Sequence, residues 1–167
     1  KKHQQITYIA SGTTVPNTFS LMLYSGAPSK LSIMNVQTRS IHGQSTTLEI
    51  HNRTGWINCS DAPIGRRSKP LSTFIHLYSD IFGQITTFLP PHHGSDKDWS
   101  PDLLSHLSMS RPPHMPKVVI PAHSQRYHHP GFDLIRYLQH NHCATFIVNN
   151  EPANTYCELQ SFKVQYL

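Results

Sequence analysis

The order of apolar and polar positions changes character near residue 70. Before it, Ile6 to Ala10, Phe19 to Tyr24, Leu31 to Val36 and Thr46 to His51 are short runs rich in β-branched and aromatic residues. Gly, Pro, Asn and Ser clusters separate them, so each predicts a strand. Thr46–His51 and Gly55–Cys59 flank a polar turn around Asn52, Arg53 and Thr54, and the spacing predicts that the two runs pair directly as a hairpin.

After Pro70, strand and helix patterns alternate. Ser72 to Phe82 predicts a helix with Phe74, Ile75, Leu77 and Tyr78 facing inward, and Ile85 to Leu89 is a short apolar strand closed by Pro90. Ser100-Pro101-Asp102 opens a second helix, with Ser at the N-cap and Pro at the first helical position, and Leu103, Leu104 and Leu107 give it an apolar face. Lys117 to Pro121 predicts a buried strand. Phe132 to His140 predicts a third helix with Phe132, Ile135, Tyr137 and Leu138 inward, and Ala144 to Val148 another strand. Tyr156 to Tyr166 closes the chain with an imperfect alternation. The expected fold class is α/β, one domain over 1–167, strand-rich over 1–70 and alternating strand and helix over 71–167.

Composition narrows the class further. The 167 residues suit a single domain with its own core, and a charged fraction of 14% against 37% hydrophobic argues against disorder. No run approaches the roughly 18 apolar residues of a membrane span, and no apolar stretch like that of a signal peptide follows Lys1 and Lys2. Cys59, Cys143 and Cys157 are odd in number, widely spaced and without a CxxC pair, which favours a reducing, cytoplasmic compartment over a disulfide framework. The net charge of +5 is compatible with a polyanionic partner such as nucleic acid. Of the 13 histidines, nine fall between His92 and His142, which directs attention to metal or acid/base chemistry.

Three segments end predicted strands where loops open, the usual position of functional groups in an α/β sheet. In Trp56-Ile57-Asn58-Cys59-Ser60-Asp61, an apolar strand runs into an acid, either a metal-bridging carboxylate or a solvated turn residue. In Phe88-Leu89-Pro90-Pro91-His92-His93-Gly94-Ser95, adjacent histidines diverge, so one could coordinate an ion while its neighbour orients a second ion or a substrate. The third, Pro121 to Pro130, carries His123, Arg126, Tyr127, His128 and His129, a grouping suited either to gripping a phosphate or to a polar surface loop. A metal-free two-histidine phosphodiesterase needs two His-X-Ser/Thr elements on strands, and His106-Leu107-Ser108 falls in a predicted helix. A Cys/His protease has no better support, since neither Cys59 nor Cys143 has a distinguishing context.

In order and content these segments resemble the C-terminal half of the metallo-β-lactamase fold superfamily. The likeness is greatest to the His-His-Gly-Ser subgroup of nuclease-like domains of DNA-uptake competence proteins. The resembling elements are Cys59-Ser60-Asp61, His92-His93-Gly94-Ser95 and Gln125-Arg126-Tyr127-His128-His129-Pro130-Gly131, within about residues 31 to 167. The resemblance implies an αββα sandwich of which this chain forms the second half, and a metal-dependent hydrolase of phosphodiesters in nucleic acid or a phosphorylated small molecule. It makes Asp61 the carboxylate bridging two metals, His93 or His92 a second-metal ligand, and His129 a group facing the substrate or leaving group, helped by Arg126 and Tyr127. Zinc, or alternatively manganese, suits such a mixed N,O site. The superfamily's first metal motif, His-X-His-X-Asp-His, occurs nowhere in the sequence. Either a missing N-terminal half or partner subunit supplies it, or the domain is a degenerate module that binds nucleic acid or protein without cutting.

Overall fold

A computed structural model describes residues 3–10, 19–26, 32–42, 45–51, 53–65, 69–109, 115–122, 128–149, 151 and 154–165, several of the early strand residues by backbone alone. The strands are β1 (His3–Ala10), β2 (Phe19–Gly26), β3 (Ser32–His42), β4 (Ser45–His51), β5 (Gly55–Asn58), β6 (Ile85–Leu89), β7 (Lys117–Pro121), β8 (Thr145–Val148) and β9 (Tyr156–Gln165). The helices are α1 (Lys69–Tyr78), α2 (Pro101–Met109) and α3 (Phe132–His140). Six strands form a sheet in the order β1-β2-β5-β6-β7-β8, and three form a second sheet in the order β4-β3-β9. From β5 to β8 the large sheet is parallel, each strand reached through a helical crossover, while β1 and β2 add an antiparallel flank. The chain is therefore mixed α/β, as its alternating pattern predicts.

Parallel strands covered on both faces need apolar groups on at least one, and here the helices cover it. Ile57, Ile85, Phe88, Val118 and Ile120 share a single core cluster with Phe74 and Tyr78 of α1, Leu103, Leu104 and Leu107 of α2, and Leu134 and Leu138 of α3. Phe74, Tyr78 and Phe82 stack in sequence along this face, with Phe74 centroids 5.0 Å from Tyr78 and 5.7 Å from Phe82. The α2 start is as its sequence predicts: Ser100 Oγ accepts the Asp102 N–H at 3.1 Å, and Pro101 opens the helix. The small sheet lies on the other face, reached by side chains of β6 and β7 that point away from the helices, such as Thr87 and Lys117. Three layers result: helices, six-stranded sheet, three-stranded sheet. Among the described residues no helix covers the outer side of the small sheet, where Cys157 and Leu159 are exposed.

Three local expectations are corrected. β4 and β5 do not pair with each other; β4 pairs with β3 in the small sheet, whereas β5 sits between β2 and β6 in the large one. The short link after His51 thus carries the chain between layers, because Ile57 and Cys59 belong to the helix-covered core. α1 runs over Lys69–Tyr78 and Ser79–Gln84 tightens into a 3-10 turn, with Ser79 and Gly83 poor residues for a helix interior. Leu77 falls one step off the buried stripe and is exposed. In α3, Leu134 and Leu138 are the buried pair, one turn apart, while Phe132, about 200° around the helix from Leu134, is 73% exposed. Among the described residues no helix is long and apolar enough to cross a membrane.

Candidate functional site

Because β5, β6 and β7 run parallel, the loops that leave them open on the same edge of the sheet. Backbone hydrogen bonds join these loops. Cys59 N–H donates to the Leu89 carbonyl at 3.1 Å, His92 N–H to the Ser60 carbonyl at 2.6 Å, and Gly131 N–H to the Gly94 carbonyl at 2.8 Å. Segments 30 or more residues apart in the chain thus form one surface.

The backbone there is strained. Ser60, His92, His93 and His128 all have left-handed φ angles, between 46° and 56°, and among the described residues the one further non-glycine case is His142. Each such residue costs about 1–2 kcal/mol, so the concentration in three adjoining loops marks a place where geometry is held against local preference. Gly94, at φ 80°, completes the turn without that cost, and a Cβ there would press within 2.7 Å of Leu134.

The consecutive left-handed residues splay the His92 and His93 rings while keeping their centroids 6.3 Å apart. Each ring is fixed through Nδ1. His93 Nδ1 lies 2.6 Å from the Pro121 carbonyl oxygen, and His92 Nδ1 lies 2.9 Å from Asp98 Oδ2. Both partners only accept, so Nδ1 carries the proton in each ring, and in the neutral imidazoles Nε2 presents its lone pair. This is the arrangement by which proteins orient histidines for metal or proton chemistry. His129 joins them with its ring centroid 5.4 Å from that of His92. Its pKa is held below the ordinary imidazole value, chiefly by burial and then by His92 and His93, against the opposing pull of Asp98 and Asp96.

Asp96 ties this surface to α3. The helix begins at Gly131, which has no side chain to cap it, and Asp96 supplies the oxygens instead: it accepts from Leu134 N–H at 3.1 Å and from Asp133 N–H at 3.3 Å. It also accepts the Trp99 indole N–H at 3.3 Å. A Cβ on residue 131 would lie 2.2 Å from that carboxylate, so glycine is required for the cap to form.

Of the residues singled out in the sequence, His92, His93 and His129 come together. Asp61 stands exposed at the adjoining turn, and its carboxylate has no hydrogen bond or ion pair among the described residues. Arg126 and Tyr127 lie outside the described residues. Asp98 and Asp96 were missed, though Asp96-Lys97-Asp98, two residues beyond His93-Gly94, was a visible acidic signal. The donor set fits a divalent ion in part: two imidazoles are oriented with Nε2 free, yet among the described residues no three His, Cys, Asp or Glu side chains gather as a metal-holding group. Comparison with protein-family models, with curated proteins and with solved structures finds no match.

Proposed function

We propose that the chain is the C-terminal half of a metallo-β-lactamase-type αββα sandwich and contributes to a metal-dependent hydrolase of phosphodiesters, in nucleic acid or a nucleotide. The observation that carries this reading is the pair of adjacent imidazoles at the sheet edge, each fixed through Nδ1 by an acceptor. His93, or His92 in its place, would hold an ion through Nε2, with Asp61 from the neighbouring turn, while the other imidazole would orient a second ion or the substrate. Zinc, or manganese, would supply an activated water and offset the charge developing on phosphorus. Asp98 and the Pro121 carbonyl keep the two imidazoles in the required tautomer. His129, whose pKa is held below the ordinary imidazole value, would exchange hydrogen bonds with a phosphoryl oxygen or leaving group, and Arg126 and Tyr127 would grip the phosphate. The remaining metal ligands would come from the missing half or a partner subunit. The uncovered outer side of the small sheet supports that view. Three free thiols, Cys59, Cys143 and Cys157, support a reducing, cytoplasmic setting.

The absence of a three-donor group among the described residues favours a second reading, a degenerate module that binds without cutting. Metal analysis and hydrolysis of bis(p-nitrophenyl) phosphate separate the two. For the hydrolase, zinc or manganese co-purifies with the intact assembly, and Asp61→Ala with His93→Ala abolishes both metal and activity. Asp98→Asn, which disturbs only the orientation of His92, lowers metal affinity about 10–100-fold. Full metal occupancy in the double variant sinks the assignment.

A further inference from the structure

A groove of about 720 Å³ is lined by Asp96, Lys97, Trp99, Asp133, Arg136 and Tyr137 among others. Its size suits one nucleotide. The partly exposed Tyr137 gives it an aromatic wall, backed by the largely buried Trp99, their ring centroids 5.2 Å apart and inclined by 56°. Lys97 and Arg136 are both exposed, and among the described residues neither side-chain cation has an ion-pair or hydrogen-bond partner. The two carboxylates in the lining are not equivalent. Asp96 is fully engaged by α3 and by the Trp99 indole, so it offers little to a ligand. Asp133 has no side-chain hydrogen bond among the described residues and can accept from a base amino group or a sugar hydroxyl.

Unpaired cations beside an aromatic wall are the combination that holds single-stranded nucleic acid, through phosphate contacts and base stacking. Asp98, which holds the His92 ring, and Lys97, which lines the groove, are consecutive residues, so the chain passes directly from one site to the other. We propose that the groove binds a nucleotide of a single strand whose neighbouring phosphodiester reaches the His92, His93 and His129 site. The proposal deepens the hydrolase reading by giving its substrate a strand and a direction of approach.

Fluorescence anisotropy with a fluorescein-labelled dT12, in EDTA so that no cleavage intervenes, tests it on the intact chain. Lys97→Ala with Arg136→Ala is expected to weaken binding at least tenfold at low salt. It should also flatten the plot of log affinity against log salt by about 0.7 for each cation that contacts a phosphate. In a Trp56→Phe background, which leaves Trp99 as the sole tryptophan, dT12 should quench the emission. Unchanged affinity and salt slope in the double variant overturn the proposal, as does equal weakening towards a labelled polyglutamate of the same length, which would make the groove a general anion site. Because metal is excluded, loss of the hydrolase reading shows separately, as wild-type protein that binds dT12 normally but never hydrolyses a phosphodiester with metal restored.

Discussion

On one face of the six-stranded sheet, Ile57, Ile85, Phe88, Val118 and Ile120 meet Phe74, Tyr78, Leu104 and Leu134 of the helices, with hardly a polar atom between them. On the opposite face, Thr86, Thr87 and Lys117 meet Ser40, Tyr156, Glu158 and Gln160 of the small sheet through directional bonds. Glu158 is the centre: it accepts from Thr87 Oγ1 at 2.8 Å, from Gln160 Nε2 at 2.7 Å and from the Tyr156 hydroxyl, and Lys117 Nζ lies 3.5 Å away. Lys117 also donates to Ser40 Oγ at 2.9 Å. The first interface gains free energy in proportion to area and tolerates small shifts. The second gains little net energy, because its charges are desolvated, but it is satisfied in only one arrangement. The apolar face makes the domain stable, and the polar face sets how the small sheet sits upon it.

The largest effect should come from the apolar face. Phe74 is fully buried and touches both Tyr78 and Phe82, so Phe74→Ala should cost about 4 kcal/mol in urea unfolding, from lost transfer energy plus the cavity. A cost near 1 kcal/mol would show that this layer collapses around the gap and is not tightly packed. Next comes the polar face, where the decisive comparison is between a single and a double variant. Lys117→Met leaves the Glu158 carboxylate, whose side chain is only 4% exposed, without its cation, and should cost about 3 kcal/mol. Adding Glu158→Gln should recover most of that loss, since the double variant buries no uncompensated charge. A double variant as unstable as the single one would show that the pair contributes net attraction, which erases the contrast between the faces.

How far this contrast was legible in the sequence differs by layer. Leu103, Leu104 and Leu107, and the Ser100-Pro101 start of α2, could be read locally because a helix brings residues three and four apart onto one side. The strand at Lys117–Pro121 was equally plain. The pairing of β4 was not, because either β3 or β5 satisfies the same alternation, and the choice depends on which strand the distant helices cover. Glu158, Thr87 and Lys117 lie 71 and 41 residues apart in the chain, so nothing local marks them as one network. At the candidate site, the histidines stood out by type and by position at strand ends. The acidic pair Asp96 and Asp98 was visible beside them, but the role of Asp96 followed only once α3 was seen to begin without a cap of its own, and that of Asp98 only once the His92 ring was seen to need an acceptor.

The smallest expected effect sharpens the comparison most, because it separates the faces by titration. Burial pushes the Cys59 thiol on the helix side above its ordinary value of 9.0. Burial, and then the Glu158 carboxylate, push the Tyr156 phenol on the small-sheet side above its ordinary value of 10.0. A group whose pKa is raised by folding keeps its proton longer in the folded chain. Its contribution is fully present below the unfolded pKa and declines as the pH rises past it towards the folded value. Stability should therefore fall above pH 9 to 10, with Cys59 contributing from one face and Tyr156 from the other, beside the partly buried Tyr137 and Cys143, whose pKa values burial also raises. Tyr156→Phe should cost about 1 kcal/mol at pH 7 for the lost hydrogen bond, and should remove one proton's share of the alkaline slope while leaving the share of Cys59. Urea midpoints measured from pH 8 to pH 11 give both quantities. An alkaline slope unchanged by Tyr156→Phe would mean that the phenol is not engaged by Glu158, and that the small sheet rests on the large one by packing rather than by the network around that carboxylate.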